Sequence, residues 1–201
     1  MTLALILCLT ATVIPVFFSR IAAAPAWLSL QALALLWIGL SGHAGFSTHA
    51  MLAGLEVLLV RALLVPYLLH RAFHKNRRAR TSLMPSNLFA WGVAITLIIL
   101  AFKFGDGARG DVRALTLGVA AATAMIAFLI LSTNQEPSAQ LVAVLFMENA
   151  LALFESLLPE PWPIPVHLAV SGVYILTVAV GGWLVGGDAA SRVEESSRQM
   201  P

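Results

Sequence analysis

Five acidic or basic side chains stand more than two residues from either end of stretches that are otherwise almost wholly apolar: Glu56 and Arg61 in 49–70, Glu148 and Glu155 in 138–158, and His167 in 163–186. A charge at the middle of a bilayer costs at least about 2.5–3.5 kcal/mol on insertion scales, so each such group needs a partner, a wet cavity or a neutral protonation state. Taking about 1.5 Å per residue, Glu56 lies about 10 Å from the start of its stretch and Arg61 about 18 Å from it, near the middle. Spaced five apart, the two point about 140° away from each other on an α-helix, which makes a mutual ion pair awkward and turns Arg61 toward another helix. Glu148 lies ten residues beyond Ser138. An anionic carboxylate is costly at that depth; with a base or a wetted route nearby, such a group takes up and gives back protons near neutral pH, as a proton relay must. Glu155, seven residues further on, shares its helical stripe. Glu148, Glu155, Glu56 and His167 are thus expected to form a ladder in the outer half of a bilayer, with Arg61 at its inner end.

The same residues admit a purely structural reading. Glu148 and Arg61 can be a fixed pair that orients two helices, and Glu56, Glu155 and His167 lie near enough to an interface to reach water. Asn149 reads as a helix–helix hydrogen bond. Pro66, beyond Arg61, removes one helix hydrogen bond, frees a backbone carbonyl and favours a kink.

The elements that must position these groups are membrane helices. Of 201 residues, 59% are hydrophobic and 11% charged, against about a quarter charged in soluble domains. That excludes a soluble enzyme and a nucleic-acid binder. Cutting at charges, prolines and glycine clusters gives seven apolar segments, 2–19, 26–42, 49–70, 85–104, 112–132, 138–158 and 163–186, each near the roughly 20 residues that cross a hydrocarbon core. The expected fold is therefore an all-α polytopic bundle of about seven transmembrane helices, with 1–187 as one transmembrane domain and 188–201 as a short polar tail. The first segment has no basic residue ahead of its apolar run and reads as a membrane helix rather than a signal peptide. Segment 26–42 is the shortest. Gly118-Val-Ala-Ala-Ala-Thr-Ala124 and Gly181-Gly182 are runs of small residues that let helix backbones approach closely.

Orientation follows from Lys and Arg, which accumulate on the cytoplasmic side. Arg71, Lys75, Arg77, Arg78 and Arg80 crowd the loop after the third segment and place it inside. Seven spans then put the N-terminus outside and the C-terminus, with Arg192 and Arg198, in the cytoplasm. Eight basic residues, Arg20 among them, fall on the inner side and three (Lys103, Arg109, Arg113) on the outer. The net charge of +2 needs no anionic partner to explain it. The single cysteine, Cys8, excludes an internal disulfide and Cys-based zinc or iron–sulfur sites. His70 and His74 have no paired carboxylates nearby, so neither a metal nor a cofactor is expected.

Two stretches together resemble a known family. Leu59-Val60-Arg61-Ala62-Leu63-Leu64-Val65-Pro66-Tyr67-Leu68-Leu69, followed by a basic loop, is similar to the Lys-x-Leu-Leu-x-Pro-containing helix of the hydrogenase-4 component E family, and Phe146-Met147-Glu148-Asn149 resembles its Met-Glu-Asn-Gly helix. That family belongs with the K subunit of NADH-quinone oxidoreductase and the C subunit of Mrp-type antiporters. The resemblance implies a non-catalytic membrane subunit of a hydrogenase-4/formate-hydrogenlyase-like or complex I-like ion-translocating complex in the bacterial cytoplasmic (inner) membrane. Its partners would be antiporter-like membrane subunits and a hydrogenase-like or quinone-linked peripheral arm. It carries a link in an intramembrane proton path onto Glu148 and the family's basic position onto Arg61. Departures are Arg for the usual Lys, which cannot pass a proton on, Ala150 for Gly, His167 for an acid, and apolar Val173 near a second acidic position. The rival readings are a structural scaffold in such a complex or in an Mrp-type antiporter, and a small free-standing transporter, which the absence of a sequence repeat disfavours.

Overall fold

A chain this apolar has to close its backbone hydrogen bonds within itself, and the helix is the local way to do so. The computed structural model describes residues 1–18, 21–42, 48–75, 88–104, 111–158 and 162–198, with the side chains of 18, 42, 48–50, 74–75, 88, 164 and 186–198 left undescribed. Among the described residues every regular element is helical. The order is α1 (Thr2–Phe18), a 3-10 turn (Ile21–Ala23), α2 (Ala24–Gly42) and α3 (Thr48–Glu56). A π-helical segment (Val57–Leu64) then runs directly into α4 (Val65–Lys75), followed by α5 (Leu88–Phe104), α6 (Val112–Thr133), α7 (Pro137–Glu155) and α8 (Ile164–Arg198).

Among the described residues five stretches are long and apolar enough to cross a membrane: Ile21–Ser41, Met51–Phe73, Val112–Thr133, Pro137–Glu155 and Pro165–Val185. Thr2–Phe17 and Phe89–Phe104 are shorter apolar helices. The segment expected to be the shortest is lengthened at its start, because Pro25 sits in the first turn of α2, where a missing N–H costs nothing, and the 3-10 turn extends the stretch to 21 residues. α8 continues as helix through the polar 188–198 region that hydropathy alone sets apart as a tail. Arg20, Arg77, Arg78, Arg80 and Arg109, which carry much of the orientation reading, lie outside the described residues, as do the side chains of His74, Lys75, Arg192 and Arg198.

The core is built around α6, which packs on α5, α7 and α1 and buries Gly118 through Thr123 together with Ile126, Ala127 and Ile130. Its start is fixed by Asp111, whose side chain accepts the Arg113 N–H at 3.0 Å, satisfying one orphan donor of the first turn. The Arg113 guanidinium in turn donates to the Leu157 carbonyl at 2.7 Å, tying the start of α6 to the end of α7. Between them the chain needs only 134–136 to reverse, with Pro137 opening α7. Two of the small residues are where helices meet closely: a Cβ on Gly118 would stand 2.9 Å from Phe102 Cδ1, and one on Gly181 would stand 2.5 Å from Leu141 Cδ1. α1 pairs with α2, the π-helical segment lies on α2, and α8 packs along α4 and α7.

Candidate functional site

The site begins with a proline. Pro66 has no N–H and its ring crowds the carbonyl four residues back, so an α-helix cannot run undisturbed from Ala62 to Pro66. The chain widens into π-helix over Val57–Leu64, with the Val65 N–H donating to the Val60 carbonyl, a form that recurs at functional sites. The Ala62 carbonyl, which loses its α-helical donor to Pro66, accepts the Ser29 hydroxyl of α2 at 2.9 Å.

The widened turn also changes which residues face each other. In an α-helix Glu56 and Arg61 diverge, but i→i+5 hydrogen bonding stacks residues five apart on one face, and Arg61 Nε lies 3.5 Å from Glu56 Oε1. The ion pair that α-helical spacing made awkward is therefore formed. Arg61 also reaches a second helix: its Nη1 donates to Asn149 Oδ1 at 3.1 Å and to the Glu148 carbonyl at 3.4 Å. The guanidinium lies over the Tyr174 ring, 4.6 Å from its centroid, a cation–π contact that strengthens where water is absent. A buried Arg at 4% exposure is thus held from α7, α8 and its own helix. The pairing of Arg61 with the Glu148 side chain, one of the readings from sequence, is replaced by pairing with Glu56, since what Arg61 touches on Glu148 is backbone.

Glu148 and Asn149 are neighbours on α7 and point about 100° apart. Asn149 turns toward α2, where its Nδ2 donates to Gln31 Oε1 at 2.8 Å. Glu148 turns toward α8, where Oε1 accepts the Thr177 hydroxyl at a long 3.4 Å. Its other oxygen, Oε2, is buried and has no hydrogen-bond partner. The Tyr174 hydroxyl, beside Asn149, likewise makes no hydrogen bond of ordinary geometry.

Glu155, two helical turns along the same stripe, meets His167 of α8 with Oε1 at 2.8 Å from Nε2, and the Trp162 ring stands 6.3 Å from the imidazole. Ser171 links this pair to the arginine: its Oγ is 2.6 Å from Glu56 Oε1 and 2.9 Å from the His167 carbonyl. One hydroxyl proton cannot serve two acceptors.

The structure thus brings Glu56, Arg61 and Asn149 into direct contact, sets Glu148 beside them, and joins Glu155 to His167 one step away through Ser171. Thr12, Gln31, Ser171, Tyr174 and Thr177 belong to the cluster and went unrecognised in the sequence. Gln31 alone left a signal, as a lone amide in the middle of an apolar segment, where such side chains bond across helices. Among the described residues no group of three or more His, Cys, Asp or Glu is placed to hold a metal ion.

Fold and site together define a class: a chain whose described residues form only helices, five of them long and apolar enough to cross a membrane, with a charged cluster buried among them. No family model, curated protein or solved structure matches the chain.

Proposed function

We propose that this chain is a non-catalytic, multi-pass subunit of an ion-translocating complex of the hydrogenase-4 or complex I kind, in which Glu148 exchanges a proton along an intramembrane path. The observation that carries this reading is the state of the Glu148 carboxyl, which has one oxygen on a long bond to Thr177 and the other buried and unbonded. A carboxyl so placed is poorly compensated as an anion and has an open position for a proton. Beyond it, Ser171 with Glu56, and Glu155 with His167, supply groups that can take a proton onward. Arg61 keeps its charge at every working pH and acts as a fixed field beside the path. In this reading seven helices span the bacterial cytoplasmic membrane with the N-terminus outside, and the partners are antiporter-like subunits and a hydrogenase-like or quinone-linked arm.

A second reading, a scaffold subunit, draws on Arg61, whose contacts join its own helix to α7 and α8. Affinity purification of the tagged chain in mild detergent, with mass spectrometry of what accompanies it, tests the complex. Recovery of an antiporter-like subunit and a redox arm is expected, and recovery of a lone homo-oligomer overturns the assignment. In the recovered complex Glu148→Gln should abolish coupled proton movement and leave assembly intact. Loss of assembly instead supports the scaffold.

A further inference from the structure

Four hydrogen bonds run in single file from Arg61 to the backbone of α1. Arg61 Nη1 donates to Asn149 Oδ1 at 3.1 Å, and Asn149 Nδ2 donates to Gln31 Oε1 at 2.8 Å. Gln31 Nε2 donates to Thr12 Oγ1 at 2.9 Å, and the Thr12 hydroxyl donates to the Cys8 carbonyl at 3.2 Å. Thr12, Gln31 and Asn149 are 0% exposed, so no water can substitute for a member. The oxygen and nitrogen of a side-chain amide are ordinarily assigned from their surroundings, and here the ends leave one assignment. A guanidinium can only donate and a carbonyl can only accept. Flipping either amide would set two donors, or two acceptors, against each other.

We infer that Gln31 and Thr12 are positioning residues that hold the Asn149 carbonyl oxygen on Arg61 and thereby keep the guanidinium off the Glu148 carboxylate. Glu148 and Asn149 are adjacent on α7, and Arg61 already touches the Glu148 backbone. Glu56 and the Tyr174 ring hold the guanidinium from its own segment and from α8, and on α7 the side chain that keeps it beside Asn149, off the buried and unbonded Glu148 Oε2, is the Asn149 amide, which is anchored through Gln31. Among the described residues, the charged or titratable groups that act on Glu148 are Arg61 from the π-helical segment and Tyr174 from α8, with Glu56 reaching the same Arg61 and Tyr174. α1 and α2 carry no charged residue, and the single charged residue of α6, Arg113, is engaged at Leu157. Among the described residues Arg61 is the one cation whose charge acts on Glu148. The inference rests on the reading of Glu148 as a proton-exchanging group.

The test is difference infrared spectroscopy over a pH series on the full chain, purified in mild detergent with the membrane partners that accompany it. It follows the carboxylic-acid C=O band that disappears in Glu148→Gln. In Gln31→Leu the freed Asn149 releases Arg61 onto Glu148, and proton binding at Glu148 should weaken about tenfold, the scale of one charge-assisted hydrogen bond. Thr12→Val removes the far anchor and should weaken it about threefold, whereas Thr12→Ser keeps the hydroxyl and should titrate as the native chain does. A folded Gln31→Leu chain with the native titration overturns the inference. If Gln31→Leu does not accumulate, the Thr12 pair decides: a shift in Thr12→Val that Thr12→Ser restores supports it, and identical titrations overturn it. A native chain with no Glu148 acid band at any pH overturns the proton-exchange reading and this inference with it, an outcome distinct from either variant result.

Discussion

The two sides of α7 treat their polar groups in opposite ways. Toward α1 and α2, each member of the Thr12–Gln31–Asn149 chain finds a partner, and the chain ends on a buried arginine. Toward α8, the Glu148 Oε2 and Tyr174 hydroxyl are buried without partners, and Ser171 has one proton for two acceptors. The satisfied side has a single low-energy arrangement, because any rotation of an amide opposes like groups. On the other side an added proton relieves an unmet need instead of breaking a bond. One helix thus separates a side where a chain of amides and a hydroxyl closes on itself from a side where a carboxyl oxygen and a phenol stay unpartnered, and the buried charge of Arg61 stands between them.

Removing Arg61 is the severest way to break this contrast. Arg61→Leu leaves Glu56 without its counter-charge and strips the buried Asn149 Oδ1 of its donor, which should cost about 3–5 kcal/mol. The expected result is loss of the chain from membranes, or a much lower unfolding temperature in detergent. A chain as stable as the native one would show that the satisfied side is not what holds the helices. Next in size is the seam between α7 and α8. Gly181→Ala drives a Cβ to 2.5 Å from Leu141 Cδ1 and should cost about 1–3 kcal/mol. Gly172→Ala on the same helix, with nothing within 4 Å, should be neutral or slightly stabilising, and unfolding in detergent compares the two.

Ser29→Ala should cost about 1 kcal/mol by leaving the Ala62 carbonyl unpaired. In a Pro66→Ala background, where residue 66 regains its N–H, that cost should vanish. A double-mutant cycle reads the coupling, and simple additivity would detach Ser29 from the proline. Glu148→Gln should have the smallest effect on stability, within about 0.5 kcal/mol, since the amide keeps an oxygen for Thr177 and removes a poorly compensated carboxyl. On the proposed function, the same variant should remove ion translocation by the complex altogether, a large functional loss beside a small change in stability.

How far the site was legible in sequence depended on the range of each interaction. Glu56, Arg61, Glu148, Glu155 and His167 stand out because ionisable groups in apolar stretches are rare and costly. The shared stripe of Glu148 and Glu155 is a matter of helical period, and both do face α8. The divergence of Glu56 and Arg61 was misjudged because it assumed 3.6 residues per turn. Pro66 announced a disturbance, but whether a kink or a π-helical widening relieves it depends on what can satisfy the Ala62 carbonyl, and that group, Ser29, is 33 residues away. Thr12, Ser171 and Thr177 gave no signal at all, because a hydroxyl in an apolar helix can always bond the carbonyl one turn back, as Thr116 does to Val112.

What the sequence determined by itself is the all-helical class, the apolar stretches and the short list of costly groups, since these follow from composition and from the local demand that backbone hydrogen bonds close within a segment. What only the tertiary structure decided is who partners whom: Arg61 with Glu56 and Asn149 instead of the Glu148 carboxyl, Asn149 with Gln31, Ser171 with Glu56. Apart from the Arg61–Glu56 pair within one helical segment, those choices join residues 88 to 118 positions apart, and they are set by which helix faces meet. Local periodicity cannot encode that, because every one of these faces is apolar enough to pack against any other.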